Sequence, residues 1–151
     1  ELRRMALQVL PMLTVALLWN DAELLRTLWL RWMAKESSKP YSGKDPPYSY
    51  AAALSVREAL QRTLEWRDFV QACPSSLPAG VEARVAGVLA CVVGALPQLL
   101  APIEELYTQK QPLKVRALGV ELVILIHYRL PEVAAARQQE QVASVIQWLP
   151  S

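Results

Sequence analysis

One histidine and two cysteines in 151 residues leave little material for a metal or nucleophilic centre. Cys73 and Cys91 are too few for a disulfide-built scaffold, which points to an intracellular location, cytoplasmic or nuclear, over an oxidising compartment. No glycine-rich run stands between a strand and a helix, and Ser42-Gly43-Lys44 repeats only a fragment of a phosphate loop. Charged residues are 20% of the chain and the formal net charge is +2, which argues neither for nor against a nucleic-acid partner. Apolar residues, by contrast, reach 53%, above a usual share of roughly 45–50%. That excludes a disordered chain and supports a large core. The chain opens on Glu1, not Met, which predicts that residues 1–151 are one helical domain of a longer protein.

Long hydrophobic runs are also few. Val85–Ile103 carries no charge and is just long enough to cross a bilayer. Pro97, Pro102, Gln98 and several alanines weaken it, and no basic cluster marks a cytoplasmic side. A buried helical segment interrupted at Pro97 is the better reading; a membrane-embedded segment is the lesser one. Glu1-Leu2-Arg3-Arg4 before an apolar run superficially suggests a signal peptide. It lacks a small-residue cleavage site and continues as a helical pattern through Trp19.

Helical periodicity dominates the rest. Leu2, Met5, Ala6, Val9, Leu13, Ala16 and Leu17 predict an inward face on a first helix to Trp19, widened by Leu10, Met12, Val15 and Leu18 to touch neighbours on two sides, with Pro11 kinking it. Asp21 is a natural N-cap for a second helix over 22–36, with Leu24, Leu25, Leu28 and Trp32 on one face. Residues 37–50 hold three prolines and no aliphatic residue, which predicts an exposed loop, binding or flexible. A third helix is expected from Ala51 to Ala72, then a break before Gly80. Val81, Val85, Val88, Leu89, Val92 and Val93 form a fourth stripe, and the period continues beyond Pro97 to Leu106 as a second helix or a kinked continuation. Leu113–Arg129 is expected to be a buried central helix, because its β-branched run at Val120–Ile126 has no partner strand anywhere. Pro131 opens a last helix carrying Val142, Val145, Ile146 and Leu149. Six or seven helices and no credible sheet make the chain all-α.

A repeat is visible beneath this pattern. Leu10-Pro11-x-Leu13 recurs as Leu96-Pro97-x-Leu99, with Leu17 matching Ile103. Half that offset falls inside the roughly 40–47-residue period of two-helix repeats. Leu54 stands where the middle unit would carry its proline. The stretch LPQLLAPIEELYTQKQPLKVRALGVELVIL, from Leu96, resembles a HEAT/armadillo unit: a proline-bearing first helix, a turn, then a second helix opening with Val115-Arg116. Residues 1–36 look similar. The resemblance covers about half the chain and implies antiparallel helix pairs in a right-handed stack, with protein–protein scaffolding as its use. An irregular helical bundle is the alternative.

No enzyme emerges. His127, beside Tyr128, reads as structural; pairing it with Cys73 or Cys91 has no local support. Cys91 among valines reads as an inert core thiol. Glu104 and Glu105 are adjacent on a helix and point apart. No metal and no cofactor are expected. Arg26, Arg31, Lys35, Lys39 and Lys44 outnumber Glu23 and Glu36, with Trp29, Tyr41, Tyr48 and Tyr50 interleaved. Such a surface could bind nucleic acid through cations and stacking, although a solvated helix face explains it as well. Lys110, Lys114 and Arg116 form a second small cluster at a helix start. Trp29 is either a core residue or an interface anchor. The expected partner is another protein subunit or the rest of the parent chain, bound through Arg26, Trp29, Lys35, Tyr41 and Lys44. A nucleic-acid-associated helical module is the alternative function, and a membrane-embedded segment the second.

Overall fold

A computed structural model of the chain describes residues 2–36, 40–42, 47–108, 110–136 and 138–139. The described residues are helical, with no strand: α1 (Leu2–Glu36), α2 (Tyr48–Ala72), α3 (Val81–Thr108) and α4 (Leu113–Arg129), plus a 3-10 turn at Pro74–Ser76. Helical turns resume at residues 131–136 and 138–139 after α4. Val142, Val145, Ile146 and Leu149 lie outside the described residues.

α1 is two helical arms joined at Asp21, whose backbone leaves the helical region at φ −156°, ψ 71°. The chain can change direction there because both exposed helix ends find partners. Asp21 Oδ1 accepts the amide of Leu24 at 3.2 Å, the N-cap read from sequence. The first arm's Trp19 carbonyl accepts Arg84 Nε from α3 at 3.1 Å. The two arms then straddle α2, and both reach Ser55. Trp29 Nε1 donates to Ser55 Oγ at 2.8 Å, Ser55 and Thr14 hydroxyls meet at 2.7 Å, and Thr14 Oγ1 donates to the Leu10 carbonyl at 2.7 Å. Because Thr14 spends its hydroxyl hydrogen on Leu10, Ser55 donates to Thr14 while accepting from Trp29, and each side-chain polar group of this buried chain is satisfied.

This junction corrects the expected faces. On the first arm Leu10, Thr14 and Leu18 are buried, while Met5, Val9 and Leu13 are exposed. The arm is apolar all round, so its period could not choose a side; the hydrogen bond available to Thr14 did. On the second arm the buried stripe is Leu25, Trp29 and Met33, not Leu24 and Leu28.

α3 does not break at Pro97. One face, running through Val88, Val92, Leu96, Leu99 and Ile103, is buried along both halves. Pro97 lies on the exposed side, where the carbonyl deprived of its amide can meet water. Of the two readings the sequence left open at Pro97, the continuous helix is the one adopted, so the Leu96 stretch continues α3 and opens no helix of its own. α4 crosses α3 closely at Gly119, where an added Cβ would lie 3.0 Å from Leu106 Cβ and 3.3 Å from the Ile103 carbonyl. α2 and α3 thus lie between α1 and α4.

Of the expected loop over 37–50, residues 37–39 and 43–46 lie outside the described residues, Pro40 and Ser42 are exposed, and its last part belongs to α2. α2 starts at Tyr48 behind an extended Pro47, and Pro47 and Ser49 are buried. Tyr48 packs on Trp32 with ring centroids 5.0 Å apart.

Candidate functional site

α4 turns Val115, Leu118, Leu122 and Ile126 into the core. Its opposite face is apolar too. Leu113, Ala117, Val120, Ile124 and Tyr128 follow one another at steps of four and three, so they form a single ridge along the helix. Leu113 and Tyr128 are each 82% exposed and Ile124 51%. With Gln61 of α2 and Tyr107 of α3 this ridge bounds a groove of about 800 Å³. The expectation of a buried central helix is therefore half right: one side is core, the other is uncovered among the described residues.

The first arm of α1 carries the counterpart. Met5, Val9 and Met12 face outward, Met12 at 81% exposure. Next to them a smaller cavity of about 460 Å³ lies between Trp19, Trp66, Phe69 and Val81. Trp19 and Trp66 meet edge to face at 5.4 Å, and the Arg84 guanidinium sits 4.7 Å above the Trp19 ring.

Ion pairs secure the rim of the α4 groove. Arg57 reaches Glu121 at 3.1 Å and Arg129 reaches Asp68 at 2.6 Å, both linking α2 to α4. The Arg129 hydrogen bond holds the Asp68 carboxyl below its ordinary range. At the other end of α4, Lys114 Nζ donates to the Tyr41 hydroxyl at 2.8 Å and lies 4.0 Å from the Tyr41 ring centroid. That hydrogen bond raises the Lys114 pKa, so the cation persists. The Tyr41 amide donates to Gln111 Oε1 at 3.0 Å, and Tyr41 meets Tyr50 at 5.1 Å.

Of the residues singled out from sequence, Arg26, Trp29 and Tyr41 have described side chains, and these three do not share one exposed face. Trp29 is 1% exposed and hydrogen-bonded to Ser55, so it anchors α1 on α2 and cannot anchor a partner directly. Arg26 is half-buried and lies over α3, its Nη1 3.8 Å from where a Gly94 side chain would begin. Tyr41 is half-buried against α4's first turn. Lys44 and the side chain of Lys35 lie outside the described residues. Trp29 is turned onto α2 and Tyr41 onto the start of α4, placements that spacing alone could not reveal. The α4 ridge was missed because the apolar run to Ile126 reads as buried on all sides; its 4-3-4 spacing was the available signal.

The nucleophile candidates are likewise separate. Cys91 Sγ donates to Glu23 Oε1 at 3.3 Å, and burial together with that carboxylate pushes its thiol up to about 11. It is a protonated thiol near neutral pH. His127 Nδ1 lies 3.0 Å from the Val123 carbonyl, in a groove with Glu104, Tyr107 and Gln138 that contains neither cysteine. Cys73 ends α2. No protein-family model, curated protein or solved structure matches the chain.

Proposed function

We propose that this chain is a non-enzymatic protein–protein interaction module within a larger assembly, with the outward faces of α4 and of α1's first arm as its contact surfaces. The observation carrying this reading is the α4 ridge: bulky apolar side chains left in water along a whole helix mark an interface when they are contiguous. The HEAT/armadillo-like stack belongs to the same proposal. Its support is the paired arms of α1 around Asp21 and the apolar faces at both ends of the helix order, as expected where stacked units cover one another. The uninterrupted α3 is the feature that fits it least.

The membrane alternative gains little from α3, the one helix among the described residues long and apolar enough to cross a bilayer. Its buried stripe of bulky residues faces other helices, and its exposed positions are small or polar, among them Ala83, Arg84, Gly87, Gly94 and Gln98. Lipid contact favours the reverse arrangement. Of the cations behind the nucleic-acid alternative, Arg26 and Arg31 are the ones with described side chains, and Arg26 lies half-buried over α3.

Quantitative affinity capture tests the proposal, using the native chain beside Val120→Asp/Ile124→Asp and Met12→Asp variants shown by circular dichroism to be folded. Specific partners should be captured by the native chain and lost with one charged face or the other. Identical capture by all three would overturn the assignment of these faces.

A further inference from the structure

We infer that the α4 groove receives an amphipathic helix of another polypeptide, apolar on one stripe and acidic beside the end that covers Arg116; this rests on the interaction-module reading and names the partner class for one of its faces. The ridge sets the shape. Steps of four, three and four through Leu113, Ala117, Val120 and Ile124 are a seven-residue repeat, the spacing with which two helices pack side by side at a shallow angle. Ala117 in the middle of the ridge allows close approach. Tyr107 and Gln61 make the site concave, which suits a cylinder better than a flat lipid surface.

Charge sets the chemistry. Lys110, Lys114 and Arg116 gather at the start of α4, and among the described residues no carboxylate pairs with any of them. α4 has no acidic residue in its first turn and no side-chain cap, so the positive end of the helix adds to the same field. Farther along the helix both charges are neutralised, Glu121 by Arg57 and Arg129 by Asp68. One end of the groove therefore asks for anions and the other does not. A second copy of α4 cannot supply them, because its only carboxylate, Glu121, is already held by Arg57.

The test uses two labelled synthetic helices of about 18 residues. Both carry Leu and Ile at the 4-3 spacing; one has Glu and the other Lys on the flanks of one end. Fluorescence anisotropy with the 151-residue chain should show the Glu peptide binding about threefold to fivefold more tightly, with the preference abolished by Arg116→Glu. Ile124→Asp should weaken both by roughly thirtyfold or more while helicity and thermal midpoint stay unchanged. Equal binding of the two peptides, or binding indifferent to Ile124→Asp, overturns the inference. So does an Ile124-dependent dimer in sedimentation, binding to phosphatidylserine vesicles but not to the Glu peptide, or displacement of that peptide by a peptide of residues 139–151. Loss of the acid preference alone leaves the interaction module standing; failure to bind either peptide, with no captured partner, removes both.

Discussion

The seat of Trp29 between α1 and α2 and the outward ridge of α4 are both lines of large apolar side chains at helical spacing, yet one is sealed and the other wet. The difference lies in what each meets. Trp29 buries its ring and finds Ser55 for its indole N–H, so no polar atom is stranded. The α4 ridge meets only the edges contributed by Gln61 and Tyr107. Hydrophobicity alone therefore does not assign a face to the core; a neighbour at the right distance does.

The largest expected effect separates these two regions directly. Trp29→Ala should lower unfolding free energy by about 3–5 kcal/mol, whereas Ile124→Ala should stay within about 0.5 kcal/mol, both read from urea midpoints. Comparable losses would show that the ridge is covered in the isolated chain. Next comes Gly119→Leu, which forces a side chain onto Leu106 and the Ile103 carbonyl. It should cost about 1–3 kcal/mol, with the damage seen in hydrogen exchange of α4 before α1. A cost spread evenly over both helices would mean that α4 does not dock separately.

A smaller effect probes the polar chain. Ser55→Ala strands the Trp29 N–H and one Thr14 bond, and should cost about 1–2 kcal/mol in the same urea measurement. The smallest effect concerns pH. Asp68 has its carboxyl lowered in the folded chain by Arg129, so its bridge stabilises above the ordinary carboxylate range and is lost as pH falls through the lowered value. Asp68→Asn should flatten that acid limb of the stability profile slightly, as befits an exposed pair. An unchanged acid limb would show that the bridge contributes nothing to the attachment of α4.

The candidate site was legible only in pieces. The basic trio Lys110, Lys114 and Arg116 stands out in the sequence, and so does the apolar run through Ile126. That Arg116 lines the same groove as part of that run depends on α4 turning Leu118 and Leu122 inward, which leaves Val120 and Ile124 on the far side.

The helical class, the Asp21 boundary and the span of α4 were determined by sequence alone, because caps, prolines and 3.6-residue periods act within a few residues of themselves. Tertiary structure decided which side of each apolar helix is core, that Pro97 leaves α3 whole, and that Trp29 is inside. Those outcomes depend on contacts between residues in different helices: Thr14 with Ser55, Gly119 with Leu106, Arg84 with Trp19. A helix greasy on every side has no preferred face until a neighbour supplies one.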